Sequence, residues 1–148
     1  MSLSMTKAQR EAFLADVHVA VVSIPEPGGA PVTAPIWYRY QPGGQIEFIT
    51  DRDSRKGRQL KVGAPLALCA QVETPPYKYV TVEGVVTALD PIDAERDLVS
   101  ISQRYLGPEQ GAAYAKQLAT DMGASVLVRV RPERWRTVDY AKENAAGG

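Results

Sequence analysis

Apolar and polar positions alternate along much of this chain. At residues 46–51, Ile46, Phe48 and Thr50 share one face, and Glu47, Ile49 and Asp51 share the other. A period of two predicts a strand with one buried side. Residues 77–89 repeat the pattern over a longer stretch, with Val80, Val82 and Val86 set against Tyr79, Thr81, Glu83 and Val85. Residues 125–136 place Val126, Val128 and Val130 together. Residues 17–24, 31–40 and 65–73 are apolar or β-branched runs of strand length. Gly and Pro clusters at 25–30, 42–44 and 74–76 separate these runs and predict turns.

Helical spacing is confined to a few segments. Thr6 is placed to cap a helix to about Ala15, in which Lys7 and Glu11 pair four apart and Phe13 and Leu14 face inward. Ser54 is placed to cap one or two turns ending near Gly63. Asp90 and Pro91 are read as opening a helix to about Leu106, with Leu98, Ile101 and Tyr105 at spacings of three and four. Gly107 ends it, and residues 108–120 form a second, alanine-rich helix. Six strands joined by short turns, with helices at the edges, predict a mainly β fold: a six-stranded antiparallel barrel. The chain lacks regular βαβ alternation and a GxGxxG motif, which argues against a dinucleotide-binding doubly wound sheet.

A length of 148 residues suits a single domain. Residues 1–5 are set aside as a tag remnant and 141–148 as a flexible tail. Seventeen basic and seventeen acidic residues cancel, so any anion-binding patch must be local, and neither nucleic acid nor a membrane is an expected partner. Cys69 and His18 are the only residues of their types, which excludes a disulfide framework and a zinc site built on them. Cys69 lies in an apolar run and is read as an inert core thiol. No apolar stretch approaches the ~20 residues of a membrane span, and no signal peptide is apparent, so a cytoplasmic location is expected.

Chemistry concentrates in residues 48–60, where a strand ends at Thr50 and Ser54, Arg55 and Lys56 open a helix. Helix N-terminal N–H groups, two hydroxyls, a guanidinium and an ammonium together make an anion pocket. A solvated charged helix is the competing reading, and Arg52, Arg58 and Lys61 suit it. The segment resembles the phosphate-binding region of the pyridoxamine-phosphate-oxidase-like superfamily of split β-barrels. Ile49-Thr50, Ser54-Arg55-Lys56, Gln59-Leu60 and the strand after Pro65 carry the resemblance. Upstream, 34–39 (Ala-Pro-Ile-Trp-Tyr-Arg) matches the strand lining the flavin ring. Downstream, 78–84 matches a run of alternating valines ending in glycine. The resemblance spans about residues 10–137.

It implies that Thr50, Ser54, Arg55 and Lys56 bind the flavin phosphate, and that Pro35, Ile36, Trp37, Tyr38 and Ile49 lie along the ring. Arg39 stands where the oxidases have a lysine, and Tyr79 where they have a cofactor-contacting glutamine. It also implies a homodimer with cofactor at the interface. The oxidases carry an arginine where Ala34 stands and a tryptophan where Val138 stands, and their C-terminal substrate segment is replaced by 139–143. The resemblance therefore points away from vitamin B6 oxidation. It points toward the shorter reductases of the superfamily, which use FMN or the deazaflavin F-420. The expected function is hydride transfer from FMN or F-420 to a small unsaturated acceptor, with solvent, Tyr38 or Tyr79 as proton source. A non-catalytic flavin-binding, storage or sensor protein on the same fold is the alternative.

Overall fold

The computed structural model describes residues 2–146. The six alternating segments form β1 (Ala20–Ile24), β2 (Val32–Ile36), β3 (Ile46–Asp51), β4 (Pro65–Val72), β5 (Lys78–Pro91) and β6 (Ser125–Asp139). They make one sheet in the order β2-β1-β4-β5-β6-β3, with every pairing antiparallel. The sheet curls until its two outer strands approach. Past β2 the chain runs on to Arg39, whose N–H donates to the Glu47 carbonyl at 2.8 Å and whose carbonyl accepts from the Glu47 N–H at 2.9 Å. This bridge joins the β2 continuation to β3 and turns the sheet into a split barrel.

Inward-facing positions fill the interior. Val22, Phe48, Leu68, Val80, Val82 and Val128 are all at most 1% exposed. Burying side chains of this size stabilises by roughly 1.5–3 kcal/mol each. On β5, Gly84 takes an inward position that no larger residue can occupy, because a Cβ there would meet Val130 Cγ1 at 2.6 Å and the Arg131 carbonyl at 2.7 Å. The β5–β6 register shifts between Glu83 and Gly84, and Pro132 lies opposite Gly84 at that irregularity, where a missing N–H costs little.

The helix α1 (Lys7–Ala15) is capped by Thr6, with a reciprocal bond from Gln9. It drops fully buried Leu14 into the open end of the barrel. Among the described residues, Lys7 and Glu11 make no ion pair. The segment set aside as a tag remnant docks on β6: the Leu3 carbonyl accepts from the Asp139 N–H at 2.8 Å, and the Met5 N–H donates to Thr137 Oγ1 at 2.8 Å. Met5 itself enters the core. Of the segment expected to be a flexible tail, Ala141–Ala146 is helical, and Gly147 and Gly148 lie outside the described residues.

Two further expectations change. The helix expected from Asp90 starts later, because β5 pairs Asp90 with Leu127 and Pro91 with Val126. Asp93 is the cap, accepting from the Arg96 N–H. After α2 (Arg55–Arg58), which lies between β3 and β4, and after a π-helical turn (Ala94–Val99), the chain forms α3 (Ser100–Leu106) and α4 (Pro108–Leu118). Gly107, at φ 87°, makes the corner between them. Gly111 lets α4 sit on the α3 backbone, since a Cβ there would collide with Gln103. Cys69 is only half-buried, because its register with Val21 and Thr81 puts it on the outer face of the sheet. No helix among the described residues is long and apolar enough to cross a membrane.

Candidate functional site

The β3 strand ends in a tight turn into α2 (Arg55–Arg58). Asp51 organises the turn: its carboxylate accepts from the Asp53 N–H at 2.7 Å, and its carbonyl accepts from the Ser54 hydroxyl at 2.6 Å. The same hydroxyl accepts from the Gly57 N–H at 3.0 Å. Gly57 is buried, and a Cβ there would collide with the Asp51 carbonyl. These contacts press α2 onto the end of β3 and fix where Lys56 leaves the backbone. The helix is only four residues long and Ser54 occupies its cap, so the helix dipole adds far less than expected from the sequence. Any anion affinity of this segment would rest on side-chain charge.

Arg55 and Lys56 differ in their pairing. Arg55 is exposed and pairs with Glu26 of the β1–β2 turn, Nε to Oε2 at 2.9 Å and Nη2 to Oε1 at 3.2 Å. Lys56 has no ion pair among the described residues, and burial pushes its pKa down. A half-buried ammonium without a carboxylate could take an anion brought from outside.

Lys56 lines a cavity of about 410 Å³. Pro35, Ile36 and Trp37 form one wall with Val19, and Ile49 of β3 forms the floor beside Lys56. Leu98, Ile101, Ser102, Tyr114 and Leu118, from the helical segment between β5 and β6, form the other wall. The Trp37 indole stacks on Tyr105 at 4.8 Å and 7°, and meets Tyr114 at 5.7 Å and 56°. Tyr105 is itself pinned: its hydroxyl donates to the His18 carbonyl at 2.6 Å and accepts from the Tyr38 N–H at 3.0 Å. The cavity is thus a mostly apolar slot whose lining includes Trp37, Tyr114 and one cation, Lys56. That combination suits a flat ring carrying an anionic arm.

The structure brings Pro35, Ile36, Trp37, Ile49 and Lys56 together at the cavity. Thr50, six residues before Lys56, points to the barrel interior and is 5% exposed. Ser54 and Arg55 do not line the cavity; Ser54 shapes the turn and Arg55 holds Glu26. Tyr38 faces the core, fully buried, with its hydroxyl donating to the Leu14 carbonyl at 2.6 Å. Burial raises its pKa well above the usual tyrosine range, so it is a structural hydroxyl rather than a proton donor. Arg39 is held by Glu47 and Asp97, each at 2.9 Å. Tyr79 sits on β5 between Gln71 and Val138, away from the cavity lining.

Sequence reasoning missed the wall contributed by the helical segment. Its apolar spacing at Leu98, Ile101 and Tyr105 reads equally as core packing. Tyr114 and Leu118, four apart on an otherwise Ala- and Gln-rich helix and both more than a third exposed, were the available signal. The segment is anchored by fully buried Asp97, which pairs with Arg39 at 2.9 Å and Arg96 at 3.2 Å and accepts from the Asp93 N–H at 3.0 Å. His18 stacks on Phe13 at 4.4 Å and its Nε2 bonds the Phe13 carbonyl at 2.9 Å. Burial pushes its pKa down, which marks a structural, neutral imidazole.

Two larger clefts exist, of about 540 Å³ beside Glu83 and Arg134 and about 640 Å³ beside Arg10 and Trp135. Neither contains any residue expected at the cofactor site. In the second, the Arg10 guanidinium is already engaged 4.9 Å over the Trp135 ring.

The family model for pyridoxamine 5'-phosphate oxidase matches residues 5–139. Among solved structures, a conserved hypothetical protein from Mycobacterium tuberculosis aligns at TM-score 0.76 and 23% identity, covering 96% of this chain and 89% of that one. An F-420 reductase aligns at TM-score 0.67 and 21% identity, covering 85% and 94%. An FAD- and heme-binding protein from Mycobacterium smegmatis aligns at TM-score 0.65 and 20% identity, covering 98% and 79%. At these identities the likeness is one of fold. No curated protein matches the sequence.

Proposed function

The chain belongs to the pyridoxamine 5'-phosphate oxidase family, and from that premise we propose that it is a flavin- or deazaflavin-dependent oxidoreductase whose cavity holds the ring of FMN or F-420. One observation carries this reading: Lys56, a half-buried ammonium with no carboxylate partner, opens onto the same slot as Trp37, Pro35 and Ile49. The donor set fits the cofactor. The slot is mostly apolar and has a cation in its lining, as a ring with a phosphate arm requires.

When bound, the cofactor supplies the hydride chemistry. Lys56 binds the phosphate, and Arg55 joins it by exchanging Glu26 for the ligand. Trp37, held flat by Tyr105, orients the ring. Leu98, Ile101 and Leu118 keep water from that wall. The acceptor is a small unsaturated organic molecule. Val21 of β1 and Val19 just before it are both about half exposed, and Val19 also lines the slot. A second copy of the chain covering this apolar strip makes a homodimer with the cofactor at its interface.

The test is titration of the purified protein with FMN and with F-420, followed by stopped-flow reoxidation of the reduced complex with candidate acceptors. Binding with acceptor-dependent reoxidation supports the oxidoreductase. Binding with no acceleration by any acceptor leaves a flavin-storage or sensor protein. No binding of either cofactor refutes the reading.

A further inference from the structure

The cleft of about 640 Å³ between α1, the turn at 41–45 and β6 differs from the slot in its charge. Its lining carries three cations, Lys7 and Arg10 of α1 and Arg131 of β6, against one carboxylate, Glu11. Among the described residues, Lys7, Arg10 and Glu11 make no ion pair, and Arg131 pairs with exposed Glu133 at 2.8 Å.

Arg10 is the unusual member of this group. It is half-buried, and its Nε is buried with no hydrogen-bond partner among the described residues. Buried polar groups left in this way are few in native proteins and call for an explanation. The Arg10 guanidinium rests 4.9 Å over the Trp135 ring, which stands edge-on to buried Tyr40 at 6.2 Å and 61°. A ring face attracts the cation but offers it no oxygen lone pair. The stack therefore places the guanidinium at the cleft without supplying a counter-charge. Gly43 and Gly44 also line the cleft and bring no side chain into it.

We propose that this cleft is a second ligand site, taking a small multivalent oxyanion of the pyrophosphate type, held by Arg10 together with Lys7 and Arg131. The guanidinium offers such a group paired N–H donors, and the ammonium adds a point charge. Three cations against one carboxylate favour an anion with more than one charge. The bound anion would tie α1 to β6. The cleft shares no lining residue with the slot, so this site stands or falls independently of the cofactor reading.

The chain has two tryptophans, so in Trp37→Phe the emission comes from Trp135 alone and reports this cleft. Inorganic pyrophosphate is titrated at low ionic strength into Trp37→Phe, alone and combined with Arg10→Gln, Glu11→Gln or Lys56→Ala. Binding is read by emission and by isothermal titration calorimetry. Arg10→Gln is expected to weaken binding by about 10-fold or more. Glu11→Gln is expected to tighten it by about 3-fold, a gain that a folding defect does not produce. Lys56→Ala is expected to leave it unchanged. Acetate, with a single charge, is expected to bind far more weakly than pyrophosphate. Absence of both an emission change and a heat of binding at millimolar pyrophosphate overturns the site. Loss of binding in the Lys56→Ala protein moves the anion to the slot and overturns it as well. Affinities unchanged by both Arg10→Gln and Glu11→Gln do the same, and acetate binding as tightly as pyrophosphate overturns the class of ligand.

Discussion

Asp97 carries the helical wall of the slot, and Asp97→Asn is the perturbation that measures how firmly. Burial alone would raise its carboxyl pKa. Hydrogen bonds from the Arg96 side chain, the Asp93 backbone N–H and the Arg39 side chain outweigh burial and hold it at about 2, against an ordinary 3.8. That difference corresponds to about 2.5 kcal/mol of linked stability. Removing the charge also leaves Arg39, which is only 21% exposed, to Glu47 alone, and breaking a buried pair from one side costs at most roughly 3–5 kcal/mol. Asp97→Asn should therefore lose about 2.5–5 kcal/mol at pH 7, read from urea denaturation monitored by circular dichroism. Because the folded pKa is the depressed one, this stability is complete above pH 3.8 and is lost as pH falls through about 2. The gap between wild type and variant should accordingly close on acidification. A variant as stable as wild type at pH 7, or a gap that persists undiminished at pH 2, refutes the reasoning.

Three smaller changes probe the turn and the barrel mouth. Gly57→Ala forces a Cβ against the Asp51 carbonyl, so it should destabilise by about 1–3 kcal/mol and weaken FMN binding, checked by thermal melts and titration. Glu26→Gln frees Arg55 from an exposed ion pair, so the melting temperature should barely move while FMN binds more tightly. Unchanged or weaker FMN binding there would mean that Arg55 does not reach the phosphate. His18 should titrate below 6.5 in the folded protein by NMR, and its contribution to stability should fade as pH drops below 6.5, because burial favours the neutral ring.

The barrel was legible in the sequence wherever one face of a strand is buried. The alternation at Ile46, Phe48 and Thr50, and at Val80, Val82 and Val86, reports that directly. The Ser54 cap was legible as well, because capping is local chemistry. What failed to show was tertiary. Asp90 and Pro91 look like a helix start, yet their pairing with Leu127 and Val126 is made by a strand some 35 residues away in the chain. Trp37 and Tyr38 were both expected along the flavin ring. Strand parity separates them, since Tyr38 and Tyr40 turn into the core while Trp37 turns to the slot. The resemblance located the segment, and the alternation within it decides which side chains can reach a ligand. The partnership of Arg55 with Glu26 depends on how the β1–β2 turn folds over α2, which no local pattern encodes.

The central claim is that Lys56 anchors the phosphate arm of a flavin lying in the slot. Trp37 gives the readout, since it lines the slot and a bound flavin should quench its fluorescence. FMN titrations of wild type, Lys56→Ala and exposed Arg58→Ala test the claim. Loss of the charge-assisted contact should cost about 1.5–3 kcal/mol, or about 10- to 150-fold in dissociation constant. Arg58→Ala should match wild type. If F-420 is the ligand that binds, the same ratio is expected with it. A dissociation constant in Lys56→Ala equal to that of wild type contradicts the account.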